Sequence, residues 1–446
     1  PLGYVQKASQ TEIDRVEIAE REAAGLPAKA EPGDTFESSH ARYLRNPDVR
    51  IGKAGIEFAL EKHLRGEPGW RQVEVNAHGR VVNELAGVAK PAVQGAGVVL
   101  TIDGELQRTA MEAMGDQSAA TVVMDIVNGD ILVLASAPGF DPNEFTNGIP
   151  FAKFKALNEA KEKPLFHKCV TGVYHPGSTF KVASAMAVLA AGIDPEQKVH
   201  CSGAMYFGGR NFHCWQKRGH GSMNLRDAVK HSCDVYFYAM SLRVGQQKLA
   251  DTARALGLGQ KMDVTLPSSS AGVIPDQAWW AKARPKEPWP PGMTLNTVIG
   301  QGDVVTSPLQ LCVMTARIAT KGKAVLPRLV REAPGVSAVD PVFKHLNMPD
   351  ADFVRVMDSM YAVCNEGGGT AERAPCRARL TSSERSRLKI TSTCRTWLIW
   401  LRRCSKVISR SANSCQRSNA SRTSLFSSCA SAFWAIPIVS SMTCLY

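Results

Sequence analysis

The octapeptide Tyr174-His175-Pro176-Gly177-Ser178-Thr179-Phe180-Lys181 narrows what this chain can be more than any other stretch of its sequence. A Pro-Gly turn delivers a serine to the start of a helix, and the apolar run Val182 to Leu189 carries that helix into a core. Ser178 and Lys181 are then one helical turn apart on the same face. A serine hydroxyl is a poor nucleophile and needs a base within hydrogen-bond reach. A lysine meets that need when burial or a neighbouring cation lowers its pKa. The plain alternative is a helix start carrying one serine and one solvated lysine, because so short a pattern recurs by chance. Other segments have to decide.

A second motif lies downstream. His231-Ser232-Cys233-Asp234 precedes the apolar aromatic run Val235-Tyr236-Phe237-Tyr238. A serine with an acidic residue two positions on is what a serine-lysine acyl-transfer site needs. The hydroxyl can relay a proton to the leaving group, and the polar neighbour can hold lysine and substrate in register. Alone this pattern is weaker than S-x-x-K. In this order, and separated by a mainly polar loop, the two are much less likely to coincide by accident.

The surrounding chain reads as α+β. Residues 1 to about 95 mix charged helical segments with short strands. An amphipathic helix is predicted over Phe58 to Leu64, a hairpin over Trp70 to Val75 and Gly79 to Leu85, and a linker over Ala86 to Gly97. A second region begins with the strand Val98 to Asp103 and a helix from about Glu105 to Met114. A hairpin then follows from Ala119 to Ser136, turning at Asn128-Gly129. Pro308 to Ala319 reads as a buried helix. Helices and strands do not alternate regularly, which favours α+β over a doubly wound sheet. No run of about twenty apolar residues is present, so no transmembrane helix or intact signal peptide is read. The chain opens at Pro1 rather than methionine, and a preceding segment is expected to have been lost.

With both motifs in hand, the chain resembles the class B penicillin-binding proteins of the elongation type, the penicillin-binding protein 2 group. The likeness takes in Gly52-x-x-Gly55-x-Glu57, Glu74-Val75-Asn76, Leu100-Thr101-Ile102-Asp103 and Gly172-Val173-Tyr174 ahead of the serine motif. Further on it includes Gly300-Gln301-Gly302, Ser307-Pro308-Leu309-Gln310-Leu311 and Gly367-Gly368-Gly369-Thr370-Ala371, so it covers roughly residues 10 to 371.

The resemblance implies a peptidoglycan D,D-transpeptidase domain over 96–371, an antiparallel sheet flanked by helices. An elongated non-catalytic domain of the dimerisation type would precede it over 1–95. Ser178 would attack the penultimate D-Ala carbonyl of a stem peptide, with Lys181 as base and Ser232 and Asp234 completing the proton path. β-Lactams would acylate the same serine. The implied setting is the periplasmic face of the inner membrane, beside a membrane-embedded SEDS-type glycosyltransferase of the elongation complex.

Four residues flank the second motif at suggestive spacing. Cys201 is followed after twelve residues by Cys214, after five more by His220, and after another twelve by Cys233. Three thiolates and an imidazole form a closed tetrahedral set for zinc. The spacing also suits unrelated buried thiols, or disulfides in an oxidising compartment, and His213 and His231 are rival ligands. The resemblance favours zinc in a structural role, since some elongation-type members carry a metal site beside this loop.

The likeness ends abruptly. The family's third motif, Lys-Thr-Gly, should follow soon after Gly369-Thr370-Ala371 and is not there; the nearest candidate, Lys389-Ile390-Thr391, lacks the glycine. From Glu372 onward the chain holds thirteen Lys and Arg against two Glu, no Gly, no Asp, and six of the twelve cysteines. That stretch carries +11 of the +12 net charge, so the body of the protein is nearly neutral and offers no nucleic-acid footprint. A reading-frame change near Thr370 to Arg373 explains both the lost motif and the shift in composition, and makes 372–446 an atypical Ser/Arg/Cys-rich tail. Smaller departures are His175, where a second proline is usual, and Asp303, where the family carries a bulky apolar residue. Losing three strands of a five-stranded sheet leaves the Ala119 to Ser136 hairpin short of partners, from which a poorly folded or inactive product is expected.

Overall fold

The computed structural model describes residues 2–372, apart from 30–35, 37, 47, 291, 337 and 338. The reading-frame change and the candidate Lys389-Ile390-Thr391 therefore lie outside the described residues.

The N-terminal region is built from small pieces. The helix Gln10–Ala23 starts at a capping box in which Ser9 and Glu12 satisfy each other's free backbone N–H groups. Ile13 on this helix, with Ala41, Leu44 and Val49, makes a satellite core. The expected Phe58 to Leu64 helix is instead two short helices, Gly55–Ala59 and Glu61–Leu64, which meet at Leu60 with φ −113. Ile56 and Leu60, four residues apart and on one face, are both buried in a cluster shared with Val122, Ile131 and Leu134 of the following region. The hairpin pairs Trp70–Val75 with Val81–Lys90, so its second strand runs well into the expected linker. Two register shifts let Trp70 reach Lys90 and Arg71 reach Ala89.

The second region centres on the helix Lys181–Ala190, of which all but the last residue is buried. A helix apolar on every side belongs inside a domain. Phe180, Met186 and Val188 join Tyr236, Phe237, Met240, Leu249, Phe353 and Val363 in the main core. The hairpin Ala119–Met124 with Ile131–Ala137 forms as expected, and among the described residues its sheet has two strands. What it lacks in pairing it gains in cover. Val122, Met124, Ile131 and Leu134 pack with Leu309, Val313 and Ala316 of the buried helix Pro308–Ala319, while Val133 and Ala135 pack with Ala110. The helix Pro308–Ala319 opens at a Ser307–Gln310 capping box with proline in its first turn.

Candidate active site

Ser178 lies in a single 3-10 turn, Gly177–Phe180, and the α-helix proper begins at Lys181. Such turns are frequent at helix N-termini. Gly177 has φ +57, a left-handed value that a side chain would oppose. Its N–H donates to the Gly300 carbonyl at 2.9 Å. A Cβ on Gly300 would lie 2.2 Å from the Gly177 oxygen, so position 300 has to be glycine to brace the serine turn. The Ser184 hydroxyl, on the next helical turn, donates to the Val298 carbonyl at 2.6 Å and ties the same two segments together. His175 bonds the Val304 carbonyl through Nδ1 at 2.8 Å, and Asp303 pairs with Arg284 at 3.3 Å.

The second motif meets the first across 51 to 54 positions of sequence. Lys181 is 2 % exposed, and its Nζ donates to Asp234 Oδ1 at 2.6 Å, to the Ser232 carbonyl at 2.8 Å and to Ser232 Oγ at 3.0 Å. Ser232 Oγ in turn donates to Ser178 Oγ at 2.8 Å. The structure thus brings all four expected catalytic residues together, with Ser232 as the bridge between serine and lysine. Ser232 holds φ +52, a conformation uncommon for a residue with a side chain. Asp234 opens the helix Asp234–Val244, where a carboxylate suits the positive end of the helix dipole. A small cavity touches Ser178, Lys181, Ser232, Met360, Thr370 and Ala371.

Both hydroxyls can rotate. With a neutral Lys181, the same three atoms carry a proton from Ser178 to Ser232 and from Ser232 to Nζ, which is general-base activation through a relay.

Two short ladders assemble the thiols. Val199–Cys201 pairs with Gly221–Met223, and Ala204–Phe207 with Arg210–His213. Cys201, Cys214, His220 and Cys233 then offer one ligand atom each, all within 4.8 Å of one another. His220 Nδ1 faces Cys214 Sγ at 3.5 Å and Cys201 Sγ at 3.7 Å. The rivals are not in the group: His213 is exposed, and His231, whose ring lies 6.0 Å from that of His220, bonds the Gly368 carbonyl at 3.0 Å. Among the described residues this is the one group of such ligands, and its cysteines are free thiols rather than disulfides. The Cys233 thiol donates to Cys214 and lowers its pKa, while the same contact and burial push Cys233 upward.

Other participants carried no motif. Trp215, directly after Cys214, donates its backbone N–H to Asp234 Oδ2 at 3.1 Å. Glu366 receives Arg226 and Lys230, the latter at 3.3 Å, and Arg226 also reaches Asp358 at 2.6 Å. These pairs fasten the helix Leu225–Lys230, which leads into Ser232, to the end of the helix Asp350–Asn365. The Arg226 hydrogen bond, reinforced by Lys230, lowers the Glu366 carboxyl from 4.5 to about 2. A carboxyl depressed on folding contributes stability that is present above its unfolded pKa and lost as pH falls through its folded one. Acid denaturation of Glu366→Gln is therefore expected to differ from wild type above about pH 4.5 and to converge with it near pH 2.

Comparison with known proteins gives a consistent result. The penicillin-binding protein transpeptidase domain family matches residues 119–380, and the penicillin-binding protein dimerisation domain matches residues 2–100. The peptidoglycan D,D-transpeptidase MrdA of Acinetobacter baumannii is 35% identical over 334 residues, 73% of this chain and 49% of that protein. This chain thus spans about half the length of that curated relative. A crystal structure of Pseudomonas aeruginosa PBP2 in complex with WCK 5153 aligns with TM-score 0.68 and 28% identity, covering 84% of this chain and 75% of that one. A complex between Helicobacter pylori PBP2 and MreC aligns with TM-score 0.68 and 29% identity, covering 85% and 65%. No described helix is long and apolar enough to cross a membrane.

Proposed function

This chain belongs to the penicillin-binding protein transpeptidase family, and from that premise we propose that it carries the acylation centre of a peptidoglycan D,D-transpeptidase of cell-wall elongation. The observation that carries the reading is the unbroken hydrogen-bonded line from Ser178 Oγ through Ser232 Oγ to Lys181 Nζ, with Asp234 on the far side of the lysine.

In this reading Ser178 Oγ attacks the carbonyl carbon of the penultimate D-Ala in a stem peptide. Its proton moves to Ser232, whose own proton moves to Lys181. The C–N bond to the terminal D-Ala breaks, and the departing amine takes the proton back along the same path. An ester on Ser178 remains. The amine of a neighbouring stem then attacks that ester, forms the crosslinking amide and restores the serine. A β-lactam meets the same serine, but its opened ring stays attached. Asp234 holds the lysine in place throughout and is held by the Trp215 N–H.

Cys201, Cys214, His220 and Cys233 would hold a zinc ion. Bonds of about 2.0–2.3 Å place the donors of a tetrahedron roughly 3.3–3.8 Å apart, which the clustering of these four atoms supports. Such a set leaves no position open for a reactive water, so the metal would supply structure and no chemistry.

We keep residues 1–95 as the dimerisation-type arm and 96–371 as the catalytic unit. The native setting would be the periplasmic face of the inner membrane, with stem peptides and β-lactams as ligands and a SEDS-type glycosyltransferase as partner. The MreC complex of the H. pylori relative supports membership of an elongation assembly.

A second reading is favoured by the missing Lys-Thr-Gly: an inactive remnant that at most binds an elongation partner through residues 1–95. The two readings part on rate. Loss of one oxyanion donor costs about 10²–10³ in turnover, so slow release of D-Ala from a pentapeptide stem is expected, and none from Ser178→Ala. A folded chain that releases no D-Ala favours the remnant.

A further inference from the structure

Trp215 is more than half exposed, yet its indole is fully engaged on one side. Nε1–H is shared between two successive carbonyls, donating to His231 at 3.0 Å and to Ser232 at 3.1 Å. These belong to the turn that delivers Ser232 to the site, and Ser232 there adopts φ +52. The same Ser232 carbonyl also accepts from Lys181 Nζ at 2.8 Å. The ring stacks edge-on against His220, with centroids 5.2 Å apart.

The turn has other anchors. Ser232 N–H donates to the Val229 carbonyl at 3.1 Å and Cys233 N–H to that of Ala228 at 2.9 Å. Both of those come from the preceding helix and fix where the turn begins. Lys181 Nζ reaches the Ser232 carbonyl alone, whereas the indole N–H reaches both the His231 and the Ser232 carbonyls and so spans the turn. An L-residue released from the left-handed region relaxes toward the common ones, and its side chain swings with it. The Ser232 hydroxyl would then leave the gap between Lys181 and Ser178.

We infer that Trp215 is a positioning residue, whose indole N–H clamps the His231–Ser232 turn and so keeps the Ser232 hydroxyl between lysine and nucleophile. The inference rests on the acyl-transfer reading for its consequence, but the clamp itself can be observed without turnover. Trp215→Phe keeps an aromatic ring and the backbone N–H to Asp234 and removes the indole donor together with part of the ring that meets His220.

Two measurements are made on the full chain. Amide hydrogen exchange is expected to speed up about tenfold or more at Ser232 and Cys233, with the helix Lys181–Ala190 unchanged. Acylation by a fluorescent penicillin is expected to slow at least tenfold at saturating drug, with the final labelled fraction and the half-saturating concentration retained. A loss of fold alone would lower the labelled fraction instead. Unchanged exchange at Ser232 and Cys233, or exchange that rises equally through Lys181–Ala190, overturns the inference. If wild type is not labelled at all while local exchange behaves as stated, the clamp stands and the acyl-transfer reading fails.

Discussion

Replacing Lys181 with methionine is expected to slow acylation of Ser178 by about 10²–10⁴, the usual worth of a positioned general base, and to destabilise the protein at the same time. The second effect follows from burial. Lys181 is 2 % exposed and Asp234 9 %, and they face each other at 2.6 Å. Removing one partner of a buried ion pair leaves the other uncompensated, at a cost of about 3–5 kcal/mol. The cost here falls toward the lower end, because Asp234 keeps the Trp215 N–H. Adding Asp234→Asn to Lys181→Met removes the orphaned charge, so the double variant is expected to recover much of the stability and none of the acylation rate. Urea denaturation and penicillin acylation of the three proteins check both halves. A Lys181→Met protein that acylates at the wild-type rate would remove lysine from the mechanism.

If Cys201, Cys214, His220 and Cys233 hold zinc as proposed, withdrawing it is expected to have the next largest effect. Cys201, Cys214 and His220 sit on or beside two-stranded ladders of three or four residues, and isolated pairs that short are marginal on their own. A bound ion would join both ladders to Cys233, the residue between Ser232 and Asp234. Elemental analysis of protein purified without chelator should find near one zinc per chain. Stripping it should lower stability by about 4 kcal/mol relative to free zinc held at a thousand times its Kd, and should loosen residues 199–223 before the Lys181–Ala190 core. The same treatment should slow acylation, because Cys233 lies next to both Ser232 and Asp234. A folded, metal-free protein with an unchanged melting temperature would refute the structural role.

Much of this site is legible in the sequence, because its chemistry is local. Ser178 and Lys181 fall within one helical turn, and Ser232 and Asp234 within three residues, so each half announces itself as a motif. The four candidate metal ligands stand out by residue type and spacing, although spacing alone does not choose between His220 and its rivals. That choice needed the ladder pairing Cys201 with Gly221, which places His220 beside two thiols while leaving His213 in solvent. Trp215 and Glu366 were not found. Their roles depend on contacts 16 to 19 and 140 residues away, made through an indole, a backbone N–H and a surface ion pair that belong to no motif. Trp215 left one clue, its place directly after Cys214.

The fold divides in a similar way. Segments with strong local signals formed as expected: the Asn128-Gly129 hairpin, the Asp103-capped helix Gly104–Met114 and the helix Pro308–Ala319. The misses are cases where local backbone geometry or register decided. The apolar pattern around Phe58 suits one helix, but the backbone leaves helical geometry at Leu60, with φ −113, a local deviation that the pattern does not encode. The strand Val81–Lys90 outruns its expected end because two register shifts re-pair it with Arg71 and Trp70. Bulges of this kind insert unpaired residues in one strand, and a strand exposed on both faces carries no apolar alternation to mark where they fall.

The central claim is that Ser178 is an activated nucleophile in this chain as it stands, even without a Lys-Thr-Gly. Mass spectrometry of the intact protein after prolonged incubation with benzylpenicillin tests it most directly. The expected result is a gain of one penicillin mass, mapped to the peptide containing Ser178 and absent from Ser178→Ala. No adduct on a chain shown to be folded by hydrogen exchange, or an adduct that survives Ser178→Ala, would contradict it.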